Sequence, residues 1–412
     1  MAAVPPAAGP SERIAGVNRN VFLLGVVSFL ADTAGEMIYP LIPLFITVTL
    51  GAPASVLGLI EGVAESVASL LRVVSGWLAD RLGRSKPLVA LGYGLAALAK
   101  PLLALAPAWP FALIARAVDR TGKGLRGAPR DALIAAWTPE GERGHAFGFH
   151  RALDTAGAVL GPLLALLGLW LAQGNLRLVF LLATIPALLA VLAIVPVRER
   201  PRAQTAEGAG APSREPLLSF NLTGYSGAFK RYLLVTLIFA LGNSSDVFLL
   251  LRAKQLGFDT VRVVLVYALY NVVYASLSLP AGIRSDRIGR RRLLLAGLLI
   301  FAAVYLGFAL VANALLVWVL FAVYGAYIAF TEGVGKALIS DLVPAERRAT
   351  AFGLCSALVG VTALVASVIA GVLWDRVGPA APFLYGSIAA LLAAAFLWFL
   401  LPARTSGASA AS

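Results

Sequence analysis

The sequence holds few of the residues on which soluble proteins and enzymes depend. Only 13% of its 412 residues are charged, whereas a soluble domain carries about 25%, so the chain is too apolar to be soluble. Cys355 is the single cysteine, which excludes an intramolecular disulfide, and we expect it to pack within an apolar helix. The two histidines, His145 and His150, lie at one helix start and form no nucleophile–base constellation. We therefore expect no catalytic residues and no enzyme.

Long apolar runs make up most of the chain. Hydrophobic residues account for 59% of the sequence, and about twelve runs of 18–28 residues are present. Each run is long enough to cross ~30 Å of hydrocarbon as a helix, and none has the two-residue alternation of a barrel strand. They predict an all-α membrane protein with helices at about 20–48, 55–79, 87–106, 110–136, 143–172, 176–196, 230–251, 262–283, 293–312, 314–342, 348–374 and 380–402.

Positive charge is concentrated in alternate connections between these runs. The formal net charge is +13, and the turns around Arg81, Arg143, Arg290 and Arg347 are basic while most of the intervening turns are nearly bare. The positive-inside rule then predicts a multi-pass protein with both termini in the cytoplasm. We expect this protein in a bacterial or archaeal inner (plasma) membrane. Because topology accounts for the charge, we expect no nucleic-acid partner. The Walker spacing is absent, so we expect no nucleotide either.

One long polar stretch divides the runs into six and six. Residues 199–228 are rich in proline, glycine, serine and charge, which is typical of a flexible linker. The sequence predicts bundles at 19–198 and 229–402, this cytoplasmic linker between them, and cytoplasmic tails at 1–18 and 403–412. We expect the first tail to be disordered. A monomer suffices for this architecture.

Two short patterns occur once in each half. Gly76–Arg84 and Gly282–Arg290 lie 206 residues apart, and each stands between two apolar runs. Pro139–Gly148 and Pro344–Gly353 share a proline, an arginine and Ala-Phe-Gly at an offset of 205 residues. Two like-oriented halves with even helix counts predict two pseudo-symmetric six-helix bundles related by an axis along the membrane normal.

Both copies of the first pattern fit Gly-x-x-x-Asp-Arg-x-Gly-Arg. This is the hallmark between helices two and three of the major facilitator superfamily (MFS), and the chain resembles an MFS transporter over essentially its whole length. In that family the turn clamps the halves on the cytoplasmic side, and its Asp meets a helix end of the opposite half. The resemblance implies gating roles for Asp80, Arg81, Arg84, Asp286, Arg287 and Arg290.

The fifth predicted helix resembles that of the superfamily's drug:proton antiporters, whose pattern is Gly-x8-Gly-x3-Gly-Pro-x2-Gly-Gly. Gly148, Gly157, Gly161 and Pro162 match it, and the final two glycines are replaced. The resemblance implies efflux. We expect these glycines to let helix five approach a neighbour of the other half closely, and the proline to bend the helix. Generic small-residue packing is the alternative.

Fourteen charged residues lie within or at the ends of the apolar runs of the N-terminal half. A charge at the bilayer centre costs roughly 2.5–3.5 kcal/mol, so these side chains must face the bundle interior or a wet cavity. Two interpretations are open, a salt-bridge lattice and direct handling of substrate or protons, and we expect both, divided by depth. Arg130, Asp131, Arg151 and Asp154 are assigned to gating, and the deeper cavity to Asp32, Glu36, Glu61, Glu65, Arg116, Asp119, Arg120 and Lys123.

The fourth predicted helix carries the densest charge. MFS antiporters have a mid-membrane arginine there that is linked to proton transfer, and the sequence resembles this in two frames, Arg116 with Asp119 or Arg120 with Lys123. In the second frame Gly124 stands at the position where the family pattern has its glycine, and we prefer this frame. Nearby glycines and Pro129 weaken this helix. Either a local break aims backbone N–H groups at an anion, or the helix is kinked but continuous.

The apolar runs of the C-terminal half carry fewer charged residues. The cavity candidates of this half are Asn243, Asp246, Asn271, Glu332 and Lys336. The first two interrupt span seven, where they either bind ligand opposite Asp32 and Glu36 or cap an unwound helix near the outer surface. Glu332 and Lys336 are one turn apart and are expected to pair. The tyrosines flanking Asn271 serve either in packing or as a binding cage.

These observations favour a secondary transporter that works by alternating access. Carboxylates in a partly dry cavity exchange protons near neutral pH, and competition with substrate then yields antiport. We expect proton-coupled efflux of a small molecule, with the proton as coupling ion, no cofactor, and the lipid bilayer and substrate as partners. The alternatives are uptake or facilitated transport of a small anion or metabolite, and ferroportin-like export of a divalent metal. No soft metal site is expected.

Overall fold

The computed structural model describes residues 13–199, 222, 224–344 and 347–401. Its described residues form twelve long helical segments, which confirms the all-α membrane fold. Eleven meet the length and hydropathy of a membrane span, whereas α4 carries seven charges. The segments are α1 (Arg19–Thr49), α2 (Ala54–Leu82), α3 (Lys86–Ala104), α4 (Trp109–Ala136), α5 (Arg143–Leu171), α6 (Leu176–Ile194), α7 (Gly227–Gln255), α8 (Thr260–Ile288), α9 (Arg290–Leu310), α10 (Ala314–Leu342), α11 (Arg348–Arg376) and α12 (Ala381–Leu400).

Three of these helices are irregular for reasons visible in the sequence. In α1, Pro40 and Pro43 remove backbone donors, and the helix tightens at Tyr39–Leu41 before it widens into a π turn at Phe45–Thr49. A short non-helical segment follows Gly242 in α7, and helix resumes at Val247. This non-helical segment confirms the break predicted in span seven. In α6 the helix is interrupted only at Ala183.

The fourth helix is a single uninterrupted element, although it contains Gly122, Gly124, Gly127 and Pro129. The alternative of a local break that exposes backbone N–H groups was wrong, and the continuous-helix interpretation holds. The reason lies in the packing. A Cβ at Gly92 of α3 would meet the Gly122 carbonyl oxygen at 2.6 Å, and one at Gly124 would meet the Ala68 carbonyl oxygen at 2.8 Å. The glycines thus serve close helix contacts rather than an unwound segment.

The two copies of the Asp-Arg-x-Gly-Arg pattern form similar helix–turn–helix connections. α2 ends at Leu82, and Gly83 follows with φ +64°. α8 ends at Ile288, and Gly289 follows with φ +95°. Only glycine adopts such positive φ values without strain, so this residue ends both helices. Both turns lead within a few residues into the next long helix.

Some predictions about the polar segments are altered or fall outside the description. Arg13–Ile14 pairs antiparallel with Val17–Asn18 through a tight turn, where the sequence predicted a disordered tail. Arg13 also pairs with Glu142 at 3.0 Å. The rest of that tail at 1–12, the tail at 403–412 and most of the linker 199–228 lie outside the described residues.

The chain forms two compact units, and the division between them does not simply follow the linker. Among the described residues, unit 1 contains 13–41 and 67–199, and unit 2 contains 42–66 together with the residues from 222 onwards. The core of unit 1 includes Val21, Tyr93 and Ile134. The core of unit 2 includes Phe229 and Cys355, and Cys355 is buried as expected.

Within unit 2, the first half of α2 packs tightly along α11. A Cβ added at Gly58 would lie 2.1 Å from the Ser367 carbonyl oxygen, and one at Gly371 would lie 2.5 Å from the Ser55 Cα. The Ser66 hydroxyl donates to the Gly360 carbonyl at 2.6 Å. Small residues on both helices therefore bring the two backbones into contact.

The contact between α2 and α11 ends at a helix cap, and this cap leads to a testable prediction. The Asp375 carboxylate accepts hydrogen bonds from Ala54 N (3.0 Å) and Ser55 N (2.8 Å) at the start of α2. Asp375→Ala is expected to lower the free energy of unfolding by about 1 kcal/mol, because the N–H groups lose their acceptor and the helix dipole loses its anion. Thermal unfolding in detergent measures this. Asp375→Asn keeps an acceptor and should lose less; equal losses for Ala and Asn would contradict the cap.

Candidate functional site

A small cavity lies inside unit 1 among charged side chains. Its volume is about 50 Å³, and it is bordered by α1, α3 and α4. The charged residues that line it are Asp32, Glu36, Lys100, Arg116, Asp119, Arg120, Lys123 and Arg126. Six of the residues that the sequence assigned to the deeper cavity are thus brought together. They were found from the rule that charges in apolar helices point inward.

Lys100 is a member of this cavity that sequence reasoning missed, and Arg126, which the sequence placed near the cytoplasmic mouth, is another member not assigned to it. Lys100 lies on α3 and is buried, and its Nζ is 2.6 Å from Asp119 Oδ1. The other carboxylate oxygen of Asp119 is 3.4 Å from Arg116. One carboxylate therefore pairs with two buried cations. A single lysine inside an otherwise apolar run, toward its C-terminal end, was the available signal, because burial of an unpaired ammonium is costly.

Asp32 lies between the cavity and helix α5. Its Oδ1 is 3.8 Å from the Arg126 guanidinium, which also lies 4.4 Å over the ring of Tyr93. Asp154 of α5 lies near Asp32 at the α1–α5 contact, where a Cβ at Gly157 would be 3.3 Å from the Asp32 Cβ. Asp154 was assigned to gating from the sequence, but the structure places it beside the deeper cavity.

A second group of charges surrounds Asp154. Ser28 donates to its Oδ1 at 2.7 Å, and Arg130 donates to the Ser28 hydroxyl at 3.1 Å. Arg130 also pairs with Asp131 at 3.2 Å, and Arg151 pairs with Asp154 at 3.4 Å. The Ser28 hydrogen bonds, together with an Arg130–Asp154 ion pair at 4.0 Å, join α1, α4 and α5. These contacts form the salt-bridge lattice that the sequence suggested, and it continues into the cavity through Asp154.

The α2 carboxylates belong to the other unit. Glu61 is only 4% exposed, whereas Glu65 is exposed although both were predicted on one inward face. Both residues lie in the part of α2 that is grouped with unit 2. The sequence interpretation depended on the inward orientation of Glu61, Glu65 and Arg120; the burial of Glu61 and Arg120 agrees with it, whereas the exposure of Glu65 does not.

Unit 2 contains a larger cavity of about 510 Å³. Its wall is mostly apolar and aromatic, with contributions from Tyr232, Phe239, Tyr270, Tyr274 and Tyr327. This volume lies in the range of pockets for drug-sized molecules. Two of the tyrosines that flank Asn271 line the cavity, as the cage interpretation requires.

The other cavity candidates of the C-terminal half have different surroundings. Glu332 and Lys336 line the cavity and pair at 3.0 Å, which confirms the predicted pair. Asn243 lines it too, at the end of the first α7 segment. Asp246 accepts a hydrogen bond from Tyr324 at 2.6 Å. Asn271 is not among the residues that line this cavity, and its amide donates to the Tyr267 carbonyl at 3.1 Å within α8. Its assignment to a substrate cavity stays a prediction.

The proposed gating residues of unit 2 cluster around one arginine. Arg290 pairs with Asp341 at 2.7 Å and with Asp286 at 3.6 Å, and it also donates to the Ala337 carbonyl. These contacts connect the ends of α8, α9 and α10. Arg287 is exposed. The family role of Asp286 toward the opposite half stays a prediction.

In the first copy of the pattern, the structure describes the arginines. The Arg81 guanidinium lies 5.2 Å over the Trp77 ring, and Arg84 is exposed in the turn. Asp80 lies in the last turn of α2. The expected clamp formed by these residues also stays a prediction.

The glycines of α5 pack differently from the expectation. A Cβ at Gly157 would meet the Phe29 carbonyl oxygen at 2.5 Å, and one at Gly161 would meet the Glu36 Cβ at 2.5 Å. Both contacts are with α1 of the same half, so the predicted approach to the other half was wrong for these residues. Among the described residues, no atom lies within 4 Å of a Cβ at Gly148, and Pro162 is a buried residue within the helix. The close α1–α5 contact is what brings Asp32 and Asp154 together.

A charged internal cavity inside an apolar helical protein is typical of membrane transporters. The comparisons agree. The sequence profile of the Major Facilitator Superfamily matches residues 24–273 and 232–412. An uncharacterized MFS-type transporter of Methanocaldococcus jannaschii is 37% identical over 391 residues, 93% of this chain and 95% of that protein. The chain belongs to the major facilitator superfamily.

Two further similarities are more distant. The multidrug resistance protein MdtH of Photorhabdus laumondii is 35% identical over 143 residues, which is 35% of either chain. The crystal structure of a D-xylose–proton symporter superposes with a TM-score of 0.70 at 20% identity, covering 93% of this chain and 97% of that one. The second similarity supports the fold alone. Because the chain belongs to this superfamily and has membrane-spanning helices, it is a multi-pass membrane transporter that moves a small molecule across a lipid bilayer.

Proposed function

We propose that this transporter exports a small molecule by proton-coupled antiport. The observation that carries the proposal is the position of Asp32, which lines the unit 1 cavity beside Asp154 and near Arg126. Two adjacent carboxylates hold one shared proton more readily than two negative charges. A site of this kind loads and releases a proton as its surroundings change.

Arg126 links the proton to the rest of the cavity. Its guanidinium is 3.8 Å from Asp32 and lies over Tyr93. When Asp32 is protonated, the attraction to Arg126 is lost, and the arginine is then held by the aromatic ring and by other anions of the cavity. Proton occupancy therefore changes the charge that the cavity presents, which is the requirement for coupling.

Two observations support export and its setting. The MdtH relative is a multidrug resistance protein, and its similarity covers 143 residues of this chain. The α5 pattern Gly148, Gly157, Gly161 and Pro162 resembles that of drug:proton antiporters. The distribution of basic turns supports a plasma-membrane location with both termini in the cytoplasm. We further propose that the monomer is the working unit.

The test uses purified protein in proteoliposomes with an imposed pH gradient. Ethidium, 1-naphthalenesulfonate, uridine and D-xylose are first compared by thermal shift. The compound that raises the melting temperature of the protein most is then used as the transported probe. Asp32→Asn should reduce gradient-driven flux about tenfold or more while downhill exchange continues, because the proton site is removed but the cavity remains. Asp259→Asn changes an exposed carboxylate and serves as the control. Full proton coupling in Asp32→Asn would overturn the mechanism.

A second function, transport of a small organic anion, is favoured by the charge of the unit 1 cavity. Five cations, Lys100, Arg116, Arg120, Lys123 and Arg126, line it together with three carboxylates. The excess of positive charge attracts an anion. In the same assay, stabilisation by 1-naphthalenesulfonate alone and flux that is independent of the pH gradient would favour this function over antiport.

A further inference from the structure

The unit 2 cavity has the composition of a site for aromatic or apolar organic molecules. Its volume is about 510 Å³, and rings from four helices line it, including Tyr232, Phe239, Tyr274, Tyr327 and Phe352. Aromatic walls give large contact areas and attract cations over their faces. Most of the exposed wall is apolar, so a sugar or another polyol would lose many of its hydrogen bonds to water there.

One ion pair stands at the wall of this cavity, and its two partners are held unequally. Glu332 accepts a hydrogen bond from the Tyr274 hydroxyl at 2.5 Å and pairs with Lys336 at 3.0 Å. The Lys336 side chain is 64% exposed, whereas that of Glu332 is 40% exposed. The carboxylate is therefore fixed to the cavity wall, and the ammonium sits on a flexible stem that reaches water.

This asymmetry decides which charge the cavity accepts. An incoming cation can replace the Lys336 ammonium at Glu332, because the lysine swings into water at low cost. An incoming anion would have to use Lys336 while it lies beside a carboxylate that Tyr274 holds in place. Like charges at such a distance repel, so the anion is disfavoured.

A second polar group points to a donor on the ligand. The side-chain oxygen of Asn243 is buried, and within the described residues it has no hydrogen-bond partner. Asn243 ends the first α7 segment and lines the cavity. A buried amide without a partner is costly, and an N–H group of a ligand would satisfy it.

We propose that the unit 2 cavity binds an aromatic monocation with N–H donors, whose positive charge takes the place of Lys336 at Glu332. This inference rests on the proposed transport function and names its substrate class. The rings of Tyr270, Tyr274 and Tyr327 contact the planar body, and Asn243 accepts a hydrogen bond from an amino group.

Ethidium, a planar aromatic cation with amino groups, tests the proposal by fluorescence titration of the full chain in detergent. Glu332→Gln should weaken ethidium binding about tenfold, the value of one charge-assisted contact. Lys336→Gln should strengthen binding several-fold, because it removes the competing ammonium. Both variants break the same ion pair, so a purely structural role would shift affinity in the same direction in both. Opposite shifts support the proposal, and shifts in the same direction overturn it.

1-Naphthalenesulfonate, an aromatic anion, is the matched control ligand. It should bind more weakly than ethidium, and Lys336→Gln should weaken it further; tighter binding than ethidium would overturn the proposal. Lys336→Gln changes an exposed side chain, so the test remains decisive if Glu332→Gln does not fold. Ethidium binding without flux would count against the transport function alone. Proton-coupled flux of uridine or D-xylose without ethidium binding would count against the cation site alone.

Discussion

Replacing Asp119 with asparagine should destabilise the protein more than replacing Lys100 with methionine. The Asp119 carboxylate pairs with Lys100 at 2.6 Å and with Arg116 at 3.4 Å, and both cations are buried. Asp119→Asn leaves two buried cations without their common anion. Lys100→Met leaves the carboxylate with Arg116. Loss of one partner of a buried ion pair costs about 3–5 kcal/mol, so we expect a cost in that range for Asp119→Asn and a smaller one for Lys100→Met.

Thermal unfolding in detergent measures both losses, and two further variants check the cause. The double variant Lys100→Met/Asp119→Asn should lose less than the sum of the single losses, because it removes one of the two buried cations that lose the Asp119 anion. Asp131→Asn on the same helix is the control: its side chain is 52% exposed, so it should lose at most about 1 kcal/mol. Strict additivity, or a larger loss for Lys100→Met, would show that these residues do not form an electrostatic unit.

The sequence predicted features that depend on local pattern. Run length and hydropathy were sufficient for the helices, and the polar residues from Asn243 to Asp246 were sufficient for the break in α7. The spacing of Glu332 and Lys336 was sufficient for their ion pair. Each of these follows from the chemistry of residues within a few turns of one helix.

The features that could not be predicted depend on which helices meet. Gly157 packs against α1, and Asp154 consequently lies beside Asp32, although glycine spacing alone does not name the partner helix. Lys100 was overlooked because its neighbours in the chain are apolar and its anion lies on another helix. A hydropathy average over the whole run hides a single lysine. The energetic cost of burying an isolated ammonium in that run would have indicated that Lys100 needs a buried anion.

A single methyl group at Gly58 should disrupt the contact between α2 and α11. The Cβ of Gly58→Ala would lie 2.1 Å from the Ser367 carbonyl oxygen and 2.9 Å from its carbon. These are backbone atoms, so no side-chain rotation relieves the clash and the helices must separate. Helices in lipid associate through close packing rather than through the hydrophobic effect, so the separation removes the interaction itself. We expect a loss of about 1–3 kcal/mol or more.

Maleimide labelling reports the separation directly. Ser367 is 2% exposed, so a cysteine at this position, in a background with Cys355→Ser, should react slowly in the parent protein. Gly58→Ala should raise its labelling rate about tenfold, as expected when an opening equilibrium shifts by 1.4 kcal/mol. Gly94→Ala is the matched control, because no atom of the part of the chain that the structure describes lies within 4 Å of its Cβ position. Unchanged labelling and unchanged melting in Gly58→Ala would mean that α2 and α11 are not in backbone contact, and the cap that Asp375 places on α2 would then lose its structural basis.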